Sequence, residues 1–241
     1  VSKKATLGQL AKSSLLILAL YSSADCDPGA RRVAGAGGCA QVKNAPVVYL
    51  ALGDSTGVGV GAGHGGYPDR LFARIEQARP RSRLFNRSAA AATAGDVLQS
   101  QLADLAEIRP DLITLCVGAD DLINGVKPEE FARDYAAIIA RLKAQTAARV
   151  VLMNIPDLSL APAVPEYMRA DARRHITAFN QIIAGVAARE GVPLVDLFSR
   201  SGGFAAHAGF FSADGLHPSD AGYEFWAELL MPRINSALDC R

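Results

Sequence analysis

Short apolar runs alternating with stretches of helical spacing constrain this chain more than any other feature. Apolar runs stand at residues 46–52, 83–86, 112–117, 150–154 and 193–197. Between and after them, apolar residues recur at three- and four-residue intervals, the spacing of one helix face. One such stretch is capped by Thr93, with Asp96 three residues on, and carries Leu98, Leu102 and Leu105. A second carries Phe131, Tyr135, Ile138, Ile139 and Leu142, and a third Ile176, Phe179, Ile182, Ile183 and Val186. The last begins near Pro218 and carries Phe225, Trp226, Leu229 and Leu230. Strands alternating with helices call for a parallel sheet covered on both faces. A site in such a sheet opens at the carboxyl ends of the strands.

At 241 residues, half of them apolar, the chain can bury one good core, and its length favours one domain. Its 25 basic and 24 acidic residues nearly balance, so charge gives no reason to expect a nucleic-acid partner. No internal repeat and no long charge block interrupts the pattern.

The chemistry gathers at two places. Gly53-Asp54-Ser55 follows the first apolar run, and Asp214-Gly215-Leu216-His217 lies near the C-terminus. A serine is a poor nucleophile until a base takes its proton, and the base needs a carboxylate to hold its tautomer. Asp214 and His217 are close enough for one short loop to orient them against each other. Of the four histidines only His217 has an acidic partner at a mechanistically useful spacing. His64 and His207 fall in Gly/Ala-rich loops, and His175 lies among Arg173 and Arg174 on a solvated helix face.

These blocks resemble the SGNH, or GDSL-like, hydrolase family of bacterial esterases and lipases. Gly-Asp-Ser after the first strand matches its nucleophile block, and Asp214-Gly215-Leu216-His217-Pro218 matches its Asp-x-x-His block. Asn154-Ile155-Pro156-Asp157 is a further stretch of that kind. The resemblance covers the chain from Pro46 onward. It implies a single flavodoxin-like, three-layer α/β domain with a five-stranded parallel sheet. It also implies Ser55, His217 and Asp214 as catalytic residues, and an oxyanion hole at Ser55, Ala91 and Asp120. Two of these positions depart from the family pattern. Ala91 stands where the family has Gly, and Asp120 in Gly118-Ala119-Asp120-Asp121 where it has Asn. Ala91 can donate its N–H freely at negative φ, whereas a positive φ would be costly for it. An ionised Asp120 only accepts hydrogen bonds, but a protonated one could donate.

Asn154, Phe210 and Phe211 are expected to contact substrate. Asn154 follows a strand, and the phenylalanines lie in one of two long connections, 157–170 and 199–213, over the strand-end cleft. Packing of those rings against the core is the equal alternative. Gly61-Ala62-Gly63-His64-Gly65-Gly66 matches the dinucleotide fingerprint G-x-G-x-x-G. It begins several residues past the strand, and Tyr67-Pro68 stands where a helix should open, so it reads as a loop beside the nucleophile. No P-loop and no Cys/His cluster at metal-ligand spacing occurs, and neither cofactor nor metal is expected.

Upstream, Lys3, Lys4 and Lys12 precede the apolar run 15–21 and the small residues Ser22-Ser23-Ala24. This order matches a secretory signal peptide over residues 1–25, with cleavage near Ala24; an amphipathic helix of the mature protein is the alternative. Residues 26–45 read as a linker and 46–241 as the catalytic domain. Cys26 would be the attachment point of a lipid anchor, but Asp25 before it fits that reading poorly, so export as a periplasmic or secreted protein is favoured. Cys116 reads as a buried core thiol. Cys39 and Cys240 bracket the domain and are expected to form a disulfide, although four cysteines allow three pairings.

The expected function is hydrolysis of small or medium acyl esters through an acyl-enzyme. The alternative from another class is a ligand-binding protein on the same scaffold, weakly active or inactive because its oxyanion hole is eroded.

Overall fold

The computed structural model describes residues 45–239. Five parallel strands, β1 (Val48–Gly53), β2 (Arg83–Asn86), β3 (Leu112–Cys116), β4 (Arg149–Met153) and β5 (Leu194–Val195), form one sheet in the order β2-β1-β3-β4-β5. This is the flavodoxin-like order, with the reversal between β1 and β3. The helices are α1 (Ser55–Val58), α2 (Tyr67–Ala78), α3 (Ala94–Asp96), α4 (Leu105–Ile108), α5 (Ala119–Ile123), α6 (Pro128–Gln145), α7 (Glu166–Glu190), α8 (Ser201–Ala205) and α9 (Asp220–Asp239).

Strand side chains alternate between two cores, which is why there are three layers. Leu50, Leu52, Ile113, Leu115, Val150 and Leu152 point to one face, against Phe131, Tyr135 and Ile138 of α6 and Ile176, Phe179 and Ile183 of α7. Tyr49, Ala51, Leu112, Cys116, Val151 and Met153 point to the other, against Leu71 and Ile75 of α2 and Tyr223, Trp226 and Leu230 of α9. Each large side chain so buried contributes about 1.5–3 kcal/mol. Cys116 is buried, as its apolar run implied.

Two helices differ from the sequence pattern. The capping box of Thr93 and Asp96 forms as expected. The helix then widens into a π turn over Val97–Gln101 and breaks before α4, so Leu98, Leu102 and Leu105 do not share one continuous helix. The reason is a polar one: Gln101 turns inward to bond the backbone of Gly53. Conversely, α2 opens directly at Tyr67, where no helix was expected. Pro68 sits in its first turn, where a missing N–H costs nothing, and Asp69 accepts a hydrogen bond from the Gly66 N–H (2.9 Å). The two long connections are also largely helical: 157–170 holds a 3₁₀ turn at Leu158–Leu160 and then enters α7, and 199–213 holds α8 and a 3₁₀ turn at Ala208–Phe210.

The segments read as signal peptide and linker, the lipid-attachment position Cys26, and the Cys39–Cys240 pair lie outside the described residues. Among the described residues no helix is long and apolar enough to cross a membrane.

Candidate active site

Backbone geometry fixes the nucleophile. Gly53 ends β1 at φ 141°, and a Cβ there would lie 1.9 Å from the Cys116 carbonyl oxygen, so only glycine fits. Asp54 caps α1, accepting hydrogen bonds from the Thr56 N–H (3.0 Å) and hydroxyl (2.7 Å). Ser55 is therefore the first residue of a helix, at the carboxyl end of a central strand. Gly57 lets that helix press onto the next loop, since a Cβ would meet the Ser88 hydroxyl at 2.1 Å. Burial pushes the Asp54 carboxyl up to about 6, against the opposing hydrogen bonds from Thr56.

The base arrives on a narrow loop whose ends are tied by a bridge between Phe211 and Pro218 and by Ser212 N–H donating to the His217 carbonyl (2.8 Å). Inside it, one oxygen of Asp214 accepts from Leu216 N–H (2.8 Å), His217 N–H (2.9 Å) and the Ser212 hydroxyl (2.7 Å). The other lies 2.7 Å from His217 Nδ1. His217 Nε2 is 3.0 Å from Ser55 Oγ, which completes a continuous chain from carboxylate to hydroxyl. Partial burial opposes ionisation of Asp214, but the hydrogen bonds from Leu216, the His217 ring, Ser212 and the His217 N–H hold its carboxyl well below the usual carboxylate range. The other three histidines are exposed and away from Ser55: His64 bonds Asp220, His207 the Gly203 carbonyl, and His175 faces Asp171.

Ala91 and Asp120, the other two positions of the expected oxyanion hole, are built differently. Ala91 adopts φ 62°, the left-handed conformation that favours glycine, in a turn closed by Ala92 N–H donating to the Ala89 carbonyl (3.2 Å). The φ that would be costly for alanine is thus the one it has. That turn hangs on β1 through Ala89 N–H, which donates to the Gly53 carbonyl (3.1 Å). Asp120, in the first turn of α5, lines the cleft with Ser55 and His217. Its carboxyl makes no hydrogen bond among the described residues; burial raises its pKa, and nearby His217 opposes the rise.

A cavity of about 290 Å³ opens from Ser55, His217 and Asp120 into an apolar interior lined by Leu158, Leu160, Leu197, Phe204, Phe211, Trp226 and Leu229. Its wall at 157–161 is pinned by buried Asp157, which pairs with Arg173 and accepts from Ser159 N–H (3.2 Å), while its own N–H donates to the Ser201 hydroxyl (2.8 Å). Of the three residues expected to touch substrate, only Phe211 lines the cavity. Phe210 is stacked on His207 (ring centroids 4.8 Å apart) and packs against Phe204 (5.3 Å) and Phe225 (5.2 Å). Asn154 is buried and ties the ends of β4 and β5: its amide donates to Asp196 (2.7 Å), and its oxygen accepts from Leu197 (2.7 Å) and Phe198 (3.1 Å) N–H groups. Its oxygen is satisfied by backbone and its amide by the Asp196 carboxylate, and it does not line the cavity.

The Gly-rich loop is held from outside. Asp220 at the start of α9 accepts from Gly63 N–H and His64 N–H (3.1 Å each) and from Arg70 (2.5 Å). Sequence reasoning missed the roles of Asp220 and Gln101, and quoted Asp157 without a role; the one available signal was Gln101, a polar residue on an otherwise apolar helix face. Among the described residues no group of His, Cys, Asp or Glu gathers as a metal site.

Sheet order, strand-end cleft and the Asp214–His217–Ser55 chain together define a three-layer α/β protein with the layout of a serine hydrolase. The family model of the GDSL-like lipase/acylhydrolase family matches residues 51–225, and the chain belongs to that family of ester-hydrolysing enzymes. Esterase TesA of Pseudomonas aeruginosa is 28% identical over 190 residues, 78% of this chain and 88% of that protein. A crystal structure of TesA matches with a TM-score of 0.66 at 27% identity, over 78% of this chain and 98% of that one. The psychrotrophic esterase EstA from Pseudoalteromonas sp., in a structure inhibited by monoethylphosphonate, matches at 0.65 and 20% identity, over 79% and 98%. At that identity the likeness is one of fold.

Proposed function

We propose that the chain is an exported serine carboxylic-ester hydrolase acting on small or medium acyl esters. The observation that carries this reading is the hydrogen-bonded chain from Asp214 through His217 to Ser55 at the polar end of an apolar cavity. In this mechanism Ser55 Oγ attacks the ester carbonyl carbon while His217 Nε2 takes the hydroxyl proton. Asp214, ionised throughout, holds Nδ1–H and stabilises the imidazolium. The tetrahedral oxyanion faces the N–H groups of Ser55 and Ala91 and the carboxyl of Asp120, which donates when protonated. Collapse expels the alcohol, which leaves with the proton from His217. Water then repeats the sequence on the acyl-serine, releasing the acid and restoring the Ser55 hydroxyl.

The raised pKa of Asp120 supports a protonated donor where the family pattern has a neutral amide. The apolar cavity takes the acyl group, with Phe211 in its wall. Residues 1–25 serve as signal peptide in this reading, and Cys39 and Cys240 as a disulfide of the exported protein. No geometric observation favours the inactive-binder alternative. The test is hydrolysis of p-nitrophenyl acetate and butyrate by wild type and Ser55→Ala; equal turnover by both would overturn the proposal.

A further inference from the structure

The π turn that breaks the expected helix delivers one residue to the catalytic corner. Gln101 is buried, and its side-chain amide meets a single residue twice: Gly53 N–H donates to Oε1 (2.8 Å) and Nε2 donates to the Gly53 carbonyl (2.8 Å). A side chain that satisfies both polar groups of one residue does the work of a neighbouring strand. For the Gly53 N–H it stands in for β2, which last pairs with β1 at Ala51 opposite Asn86, two residues earlier. Short π segments inside helices are frequent at functional sites. This one inserts the extra residue that turns Gln101 toward β1.

The Gly53 carbonyl accepts a second hydrogen bond, from Ala89 N–H (3.1 Å), in the turn that presents Ala91. Asp54 and Ser55 follow directly along the chain. Gly53 is thus the junction from which both proposed backbone oxyanion donors are hung, and Gln101 is the side chain that clamps it. We infer that Gln101 is a positioning residue: it touches no substrate, and it sets the spacing between the Ser55 and Ala91 N–H groups. The inference rests on the proposed oxyanion roles of those two groups. A buried amide matched at both ends rigidifies its partner, and misplacement of catalytic groups by about 1 Å costs on the order of a hundredfold in rate.

Gln101→Met keeps the length of the side chain and removes both bonds. The expected result is a kcat on p-nitrophenyl butyrate lower by about tenfold to a hundredfold with KM changed less than about twofold, because binding in the apolar cavity is untouched. Inhibition by butane-1-boronic acid, whose serine adduct places an oxygen in the oxyanion position, weakens in step with kcat. A merely structural role would lower the melting temperature and leave the kcat of the folded enzyme and the boronate affinity at wild-type values, and that result would overturn the inference. Gln101→Asn keeps a polar amide but is one methylene too short to hold both polar groups of Gly53 as Gln101 does. It serves if the methionine variant does not fold: lower kcat at unchanged KM supports the clamp, wild-type kcat refutes it. Ser55→Ala run alongside separates the two readings. Full turnover there would overturn the site itself, whereas inactive Ser55→Ala with wild-type kcat in the Gln101 variants would overturn the clamp alone.

Discussion

The two sides of the nucleophile are built by opposite means. On one side, Asp214 and His217 lie in a short loop where one Asp214 oxygen takes three hydrogen bonds, and the other bonds the imidazole. On the other, Ala91 holds a left-handed backbone and Asp120 a carboxyl with no hydrogen-bond partner among the described residues. The first side is complete without a ligand. The second carries a left-handed alanine and a carboxyl without a hydrogen bond among the described residues. Under the proposed mechanism, the contrast teaches that the proton relay is fixed by local bonding, while transition-state stabilisation is the adjustable part.

If the relay is the fixed part, removing it has the largest effect. Ser55→Ala or His217→Ala should lower kcat on p-nitrophenyl butyrate by about 10⁴-fold or more, with the circular dichroism spectrum of wild type. A loss of only about tenfold would erase the contrast, because the flexible side would then carry as much as the relay.

Asp120 comes next, and its effect depends on pH. Burial raises its pKa above the ordinary carboxylate value, so the neutral, donating form persists to higher pH than for an exposed aspartate. As pH rises and Asp120 ionises, a donor becomes a repelling charge and kcat/KM decreases. A fall on the alkaline side is expected. Asp120→Asn, always a donor, should lose that fall and exceed wild type at the alkaline end by up to about a hundredfold. An alkaline plateau in wild type would show that Asp120 stabilises nothing.

The same division decides what could be read from sequence. The pairing of Asp214 with His217 was legible because the two lie three residues apart, and the strand before Ser55 because it is an unbroken apolar run. Sheet membership was legible too, since β1, β3 and β4 are apolar on both faces. The π turn was not, because the spacing of Leu98, Leu102 and Leu105 fits an ordinary helix, and only the long-range bond to Gly53 explains the extra residue. Nor was α2, whose Pro68 reads as a breaker until it is placed in a first turn. Asn154 followed a strand like the other site residues, but its partners just past β5 lie some forty residues away in sequence, at Asp196, Leu197 and Phe198. Phe210 and Phe211 are adjacent and chemically identical, so only the bridge between Phe211 and Pro218 separates the ring in the cavity from the ring in the core.

That pair gives a third, smaller effect. Phe211→Ala should widen the cavity and shift preference several-fold toward longer or bulkier acyl chains, measured as the ratio of kcat/KM for p-nitrophenyl octanoate and acetate. Phe210→Ala should leave that ratio unchanged and lower stability by about 2–4 kcal/mol through the aromatic contacts it loses. Equal shifts from both would mean the two rings act as one wall.

The smallest effect tests the strain directly. Ala91 at φ 62° bears a left-handed cost of about 1–2 kcal/mol that glycine does not. Glycine in turn gives the unfolded chain extra freedom, which costs about 0.4–1 kcal/mol in the opposite sense. The site is exposed, so no packed methyl is lost, and Ala91→Gly should gain roughly 0.5–1 kcal/mol, the difference of those two terms. For a domain of this size that is a rise of about 1–4 °C in Tm. The N–H of residue 91 remains, so kcat should stay within a few-fold of wild type. A fall in Tm would mean that the turn is held by its own bonds with no strain to relieve. The adjustable character of this side would then rest on Asp120 alone.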